Sequence, residues 1–176
     1  MILKNKIKLF ITDIDGVWTD GSMYYSDDGI ELKRFNTYDS AGVLLCHELG
    51  IHVAIITGEN SNAVKKRAYK LNIEHCFLGV SNKVKVANQL MKELKIDSYE
   101  NVAFIGDDIN DFRLLNKVGL SACPNQAPEL IKKNVDWVIP VKGGDGVFRA
   151  FVETYLSKLE LLDQTYSKLI KKKYIQ

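Results

Sequence analysis

Two aspartates with one residue between them close an apolar run in the segment Leu9-Phe10-Ile11-Thr12-Asp13-Ile14-Asp15-Gly16. On a regular strand Asp13 and Asp15 point to the same face and repel, so the pattern calls for a positive partner. A hard divalent cation such as Mg2+ meets that need, because it takes a few carboxylate and carbonyl oxygens and keeps positions for a substrate phosphate. A solvated Asp-Gly turn explains the same residues without any chemistry. A second apolar run, Val102-Ala103-Phe104-Ile105, ends in Gly106-Asp107-Asp108-Ile109-Asn110-Asp111 and repeats the design. Between the two lie Val53-Ala54-Ile55-Ile56, followed by Thr57-Gly58, and then Lys83, just after Gly79-Val80-Ser81-Asn82.

The set supplies acid, hydroxyl, cation and acid again. Thr57 and the Gly58 N–H fall at a predicted helix start, which receives phosphate oxygens well, and Thr57 reads equally as a helix N-cap. Lys83 opens the amphipathic segment Val84 to Leu90 and by itself reads as a solvated lysine. The acids at 107–111 suit a helix start, where they complement the dipole, although the buried strand before them argues for a site.

In this order the residues resemble the four motifs of the haloacid dehalogenase superfamily of phosphotransferases: Asp13-x-Asp15, Thr57, Lys83 and Gly106-Asp107-Asp108-x-x-Asp111. The match spans nearly the whole chain. The resemblance implies Asp13 as nucleophile, and a carboxylate attacks phosphorus only when a metal and an ammonium neutralise both partners. It implies Asp15 as general acid and base, with its backbone carbonyl on the metal. Thr57 would hold the transferring phosphoryl group and Lys83 would balance Asp13 and the phosphate. Asp13, Asp15 and Asp107 form the expected Mg2+ set, with Asp108 and Asp111 acting through water or by orienting Lys83.

The elements that must position these residues alternate. Strands are expected up to Thr12 and at 52–56, 76–78, 102–105, 120–122 and 137–139. Helices are expected at 40–49, 61–71, 83–94, 109–116 and about 127–133, with an amphipathic stretch from about Gly146 to a basic end at Lys168 to Tyr174. Alternation of this kind predicts an α/β, doubly wound, mostly parallel sheet in a single domain over 1–176. The segment from Trp18 to Phe35 reads as a β-hairpin turning at Asp27-Asp28-Gly29. Neither the span from Asp13 to Thr57 nor that from Lys83 to Asp107 holds a cap domain, so the site is expected to be open.

Capless members with Asp-x-Asp-Gly-Val-x-Thr-Asp-Gly, as at Asp13 to Gly21, form the family of 3-deoxy-D-manno-octulosonate 8-phosphate phosphatases, which the chain resembles. Phe35 to Gly42 and Gly143 to Arg149 extend the likeness. It implies a homotetramer with hairpins packed together, a Gly-rich tail reaching a neighbouring site, and a phosphorylated sugar acid as substrate in the making of surface glycans such as lipopolysaccharide or sialic acid. Two departures redirect the substrate. Glu59 stands where octulosonate phosphatases commonly carry Arg, and Asp145 stands in the tail where they tend to carry another, which should disfavour a sugar carboxylate bound in the same way. Glu59, Lys70 and Gly-x-Gly-Val-Phe-Arg are similar to nonulosonate 9-phosphate phosphatases, so the preferred substrate is a nonulosonate 9-phosphate. Glu59 and Lys70 also read as solvated helix charges. Asp145 and Arg149 read as an i,i+4 ion pair.

Two other classes remain open. A catalytically silent oligomerisation domain, as attached to some cytidylyltransferases of sialic acid activation, would need none of the five site residues Asp13, Asp15, Thr57, Lys83 and Asp107. A phospho-receiver module would lack the second acid, Asp15. The balance of 24 basic and 22 acidic residues, with no basic stripe interleaved with aromatics, argues against nucleic acid. No apolar run is long enough for a membrane helix and the chain start reads straight into a strand, so a cytoplasmic protein is expected. Cys46, Cys76 and Cys123 are scattered without ligand spacing and are expected to be reduced.

Overall fold

A computed structural model describes residues 6–174. The chain start at 1–5, and the side chains of Lys173 and Tyr174 in the basic tail, lie outside the described residues. In chain order the elements are β1 (Leu9–Thr12), β2 (Tyr24–Tyr25), β3 (Glu31–Leu32), α1 (Asp39–Glu48), β4 (His52–Ile56), α2 (Asn62–Lys70), β5 (His75–Phe77) and α3 (Lys83–Glu93). A 3-10 turn (Tyr99–Asn101) leads into β6 (Val102–Ile105), followed by α4 (Phe112–Leu115), β7 (Leu120–Pro124), α5 (Glu129–Lys132), β8 (Trp137–Ile139), α6 (Val147–Lys158) and α7 (Leu162–Tyr174).

The central sheet has six strands in the order β5-β4-β1-β6-β7-β8, and every pairing is parallel. Its strands are apolar at successive positions because both faces are buried. Phe10, Val53, Ile55, Ala103 and Ile105 face one core, under α1, α2, α6 and α7. Leu9, Ile11, Ala54, Ile56, Val102 and Phe104 face the other, under α3, α4 and α5. The direction of winding reverses at β1, which has β4 on one side and β6 on the other. In such sheets the crevice for ligands opens beyond the carboxyl ends of the strands at that point.

The expected hairpin is present as the antiparallel pair β2–β3, with Tyr24 opposite Leu32. Several expected elements are shorter. Residues 109–111 form turns, leaving α4 as four residues, and α5 is also four residues long. The amphipathic stretch from Gly146 is two helices, broken at Glu160, whose φ is +57°. The tail is joined to the body by an ion pair of 2.6 Å between Lys172 and Glu48. The expected Asp145–Arg149 pair does not form. Arg149 Nε donates to Glu153 at 2.6 Å, and Asp145 lies 3.9 Å from Arg34.

Candidate active site

Asp13, Thr57 and Gly106 are the first residues beyond β1, β4 and β6, and each remains attached to the ladder. Asp13 N donates to Ile105 O at 3.0 Å, Thr57 N to Phe77 O at 3.0 Å and Gly106 N to Ala122 O at 3.2 Å. The loop after β1 folds tightly: the amides of Val17, Trp18 and Thr19 all converge on Ile14 O. Buried Trp18 pins it by donating from Nε1 to Thr12 Oγ1 at 2.8 Å, while Thr12 Oγ1 donates to Asp13 O at 2.7 Å. Gly16 has φ +76°, and a Cβ there would stand 1.8 Å from Asp107 Oδ2, so this position admits Asp107 only because it lacks a side chain.

Lys83, from the first turn of α3, is 4% exposed and ties the two acidic loops together. Its Nζ lies 2.9 Å from Asp13 Oδ1 and 2.6 Å from Asp111 Oδ1. Asp111 Oδ2 accepts from the amides of Asp107 at 3.0 Å and Asp108 at 3.4 Å. Both Asp111 oxygens are therefore committed, one to Lys83 and the other to the loop amides. Asp108 does not join in orienting Lys83; its Oδ1 accepts from Ile109 N at 2.7 Å. Oxygens of Asp13, Asp107 and Asp111 all lie within 4.8 Å of one another. Burial, with the charge of Asp111 added, pushes the Asp13 carboxyl up to about 7 against the pull of Lys83. Burial and the charges of Asp13, Asp111 and Asp108 push Asp107 up to about 8. One ammonium does not balance this group of acids, and an all-oxygen set short of positive charge fits a hard divalent cation.

Asp13, Asp15, Gly16, Gly21, Met23, Thr57, Gly58, Glu59, Asp107, Asp108 and Asn110 line one cavity of about 210 Å3. Thr57 and Gly58 face it from a turn and not from a helix start, because α2 begins only at Asn62 behind Ser61. The N-cap reading of Thr57 is thus excluded; its Oγ1 accepts from Glu59 N at 3.4 Å. Glu59 is on the cavity wall. Lys70 is not: it lines a neighbouring basic hollow with Lys33, Phe35, Lys66, Arg67 and Tyr69, since α2 carries it away from the strand ends.

Sequence reasoning missed Lys33. Its Nζ, on a side chain 1% exposed, lies 2.7 Å from Asp15 Oδ1 and 3.2 Å from Glu31. Nothing in the Lys33-Arg34 pair marks one as buried; only the hairpin's fold-back does. Thr19 Oγ1 also donates to Asp15 Oδ1 at 3.3 Å, while Asp15 Oδ2 is buried without a hydrogen-bond partner. Gln126 was missed as well. It donates to Gly16 O and accepts from Gly143 N, both at 2.9 Å, so the Gly-rich tail is tied to the active-site loop of its own chain.

The family model described as haloacid dehalogenase-like hydrolase matches residues 78–151. The chain is 39% identical over 158 residues to the 3-deoxy-D-manno-octulosonate 8-phosphate phosphatase KdsC of Escherichia coli K12, covering 90% of this chain and 84% of that one. It belongs to the haloacid dehalogenase phosphatases. A crystal structure of the Moraxella catarrhalis octulosonate 8-phosphate phosphatase, in complex with magnesium, phosphate and the KDO molecule, superposes on this haloacid dehalogenase phosphatase with a TM-score of 0.88. The two are 32% identical, with 93% of each chain covered. The cobalt-bound phosphatase YrbI of Haemophilus influenzae gives a TM-score of 0.87 at 33% identity, covering 94% of this chain and 99% of the other. As a haloacid dehalogenase phosphatase, the protein is a phosphoric monoester hydrolase with the α/β fold expected for that family.

Proposed function

We propose that the protein is a Mg2+-dependent phosphatase of a phosphorylated 3-deoxy-2-keto sugar acid that works through an aspartyl-phosphate. The observation that carries this reading is the Lys83 ammonium held between Asp13 and Asp111, with Asp13, Asp15, Thr57 and Asp107 on the wall of one cavity. Asp13, Asp107 and the Asp15 backbone carbonyl would hold Mg2+, which would supply charge neutralisation at the phosphoryl oxygens. The relatives' substrate and the magnesium named for the Moraxella enzyme support the same class.

Asp13 attacks phosphorus and forms the P–O bond as the bond to the sugar oxygen breaks. Lys83 and the Thr57 hydroxyl hold the phosphoryl oxygens. Asp15 gives its proton to the departing sugar oxygen, then takes one from the water whose oxygen attacks phosphorus, which releases Asp13 and inorganic phosphate. Oδ2 of Asp15, free of hydrogen-bond partners, is the oxygen available to carry that proton. Asp108 and Asp111 fix the loop.

Within the class, Glu59 on the cavity wall favours a nonulosonate 9-phosphate. The identity of the curated relatives favours octulosonate 8-phosphate. Phosphate release from both substrates, measured side by side for wild type and Glu59→Arg, decides between them. A preference of about tenfold in kcat/KM for the nonulosonate, lost in Glu59→Arg, upholds the first reading; about tenfold is about 1.4 kcal/mol. A preference for the octulosonate upholds the second, and no turnover of either ester returns the silent oligomerisation domain. The reading includes a cytoplasmic homotetramer built on the hairpin, supported by the exposed Met23, Tyr24, Tyr25, Ile30 and Leu32. Among the described residues no helix is long and apolar enough to cross a membrane.

A further inference from the structure

The turn at 106–111 carries one polar side chain that the chemistry above leaves unused. Asn110 lines the active-site cavity with Thr57 and Gly58, and it also lines a neighbouring hollow of about 190 Å3 with Ser81, Asn82, Lys83 and Arg113. It therefore stands on the wall between the two groups proposed to hold phosphoryl oxygens, with the Thr57 turn on one side and Lys83 on the other. Its Nδ2 comes 3.9 Å from the point where a side chain on Gly58 would begin. Because Gly58 has none, the amide looks across a gap at the phosphate-receiving turn.

The acids on either side of it in the turn are committed: both oxygens of Asp111 are bonded, and Asp108 Oδ1 accepts from Ile109 N. Asn110 differs, since among the described residues its side chain takes part in no hydrogen bond. A primary amide brings two N–H donors, and here both are free. The backbone beneath it is held, because Asp111 N donates to Asp108 O at 3.0 Å and Phe112 N to Ile109 O at 3.3 Å. We propose that Asn110 is a further catalytic residue, its Nδ2 donating to a phosphoryl oxygen from the wall that faces the Thr57–Gly58 turn. The inference rests on the phosphatase reading and adds a contact to it. A fixed donor aimed at the transferring group stabilises the charge on its oxygens in the transition state, and no bond to Asn110 forms or breaks. A neutral amide suits the place, because Asp13, Asp107 and Asp111 already gather negative charge there and a carboxylate at 110 would repel the phosphate as well. The departing sugar oxygen lies toward Asp15, so the amide meets the group that is transferred and not the group that leaves.

The test measures steady-state turnover in Mg2+ for wild type, Asn110→Ala and Asn110→Asp, with the preferred sugar acid phosphate and with p-nitrophenyl phosphate, and inhibition by inorganic phosphate. Asn110→Ala should lower kcat/KM by about 10- to 100-fold, equally for both esters, because both present the same phosphoryl group. Inorganic phosphate should inhibit it more weakly. Asn110→Asp, close in size, should be slower still through repulsion. Thermal midpoints should match wild type, since the residue is exposed and the side chain has no partner to lose. Turnover of both esters within about twofold of wild type in either variant overturns the proposal. So does a loss confined to the sugar acid phosphate, which places Asn110 against the sugar. Wild type that hydrolyses neither ester sinks the phosphatase reading itself, which keeps the two failures distinct.

Discussion

Lys33 Nζ, at the end of the hairpin's second strand, lies 2.7 Å from Asp15 Oδ1 in the loop after β1. The most peripheral element of the fold therefore holds the residue proposed to move the proton. Lys33→Met keeps the apolar stem and removes the ammonium. We expect kcat/KM to fall about tenfold or more, as Asp15 loses its fixed orientation. The thermal midpoint should change little, because Asp15 and Glu31 are 23% and 27% exposed and can turn to water. Unchanged turnover would reduce the pair to a tether for the hairpin.

Asp15→Asn separates the two chemical steps. With a sugar phosphate the first step lacks its acid, and turnover should drop about 100- to 10,000-fold. With p-nitrophenyl phosphate the leaving group needs no proton, so a burst of about one phenolate per site should precede a slow steady state. Rapid-quench kinetics read both. A variant with no burst would mean that Asp15 is needed before phosphorus is attacked.

Lys83 is the cation at the centre of the acidic group, so Lys83→Met leaves Asp13 and Asp111 buried without it. Breaking a buried pair in this way costs about 3–5 kcal/mol in metal-free buffer. Mg2+ should restore more stability to the variant than to wild type, because a bound ion offsets the same carboxylates. Urea unfolding with and without Mg2+ measures the difference, and equal Mg2+ effects would place the ion away from this group. Chelation of Mg2+ should abolish turnover in wild type.

Asp39, 0% exposed at the start of α1, caps a different helix: its Oδ1 accepts from the amides of Phe148 and Arg149 at the start of α6. Burial pushes its carboxyl up to about 6, opposed by those two amides and by Arg67 and Arg149. An acid with a raised folded-state pKa stabilises the fold fully below its unfolded value near 3.8, and that contribution is lost as pH rises through about 6. The loss is of order 3 kcal/mol. Asp39→Asn keeps an acceptor for the α6 amides and should flatten this part of the stability–pH curve, which thermal melts from pH 4 to 7 would show. A curve parallel to wild type would assign the slope to other groups.

The acidic site was legible in the sequence because its chemistry follows from strand ends. Apolar runs at 9–12, 53–56 and 102–105 predicted parallel strands buried on both faces, and the residues just beyond them, Asp13, Thr57 and Asp107, face one cavity. The order of those motifs also carried the family. Contacts between residues far apart in the chain were not legible. Lys33 looks like any hairpin lysine until the hairpin folds over Asp15, and Gln126 looks like a loop residue until it joins Gly16 to Gly143. Local rules failed where tertiary partners offered better terms. Arg149 took Glu153 instead of Asp145, and Lys70 left the cavity because α2 starts at Asn62 and runs away from the strand ends. Sequence by itself determined which residues end the strands and hence what chemistry gathers there. Only the tertiary structure decided which distant side chains orient that chemistry, because ion pairs and buried hydrogen bonds depend on distances that chain spacing does not set.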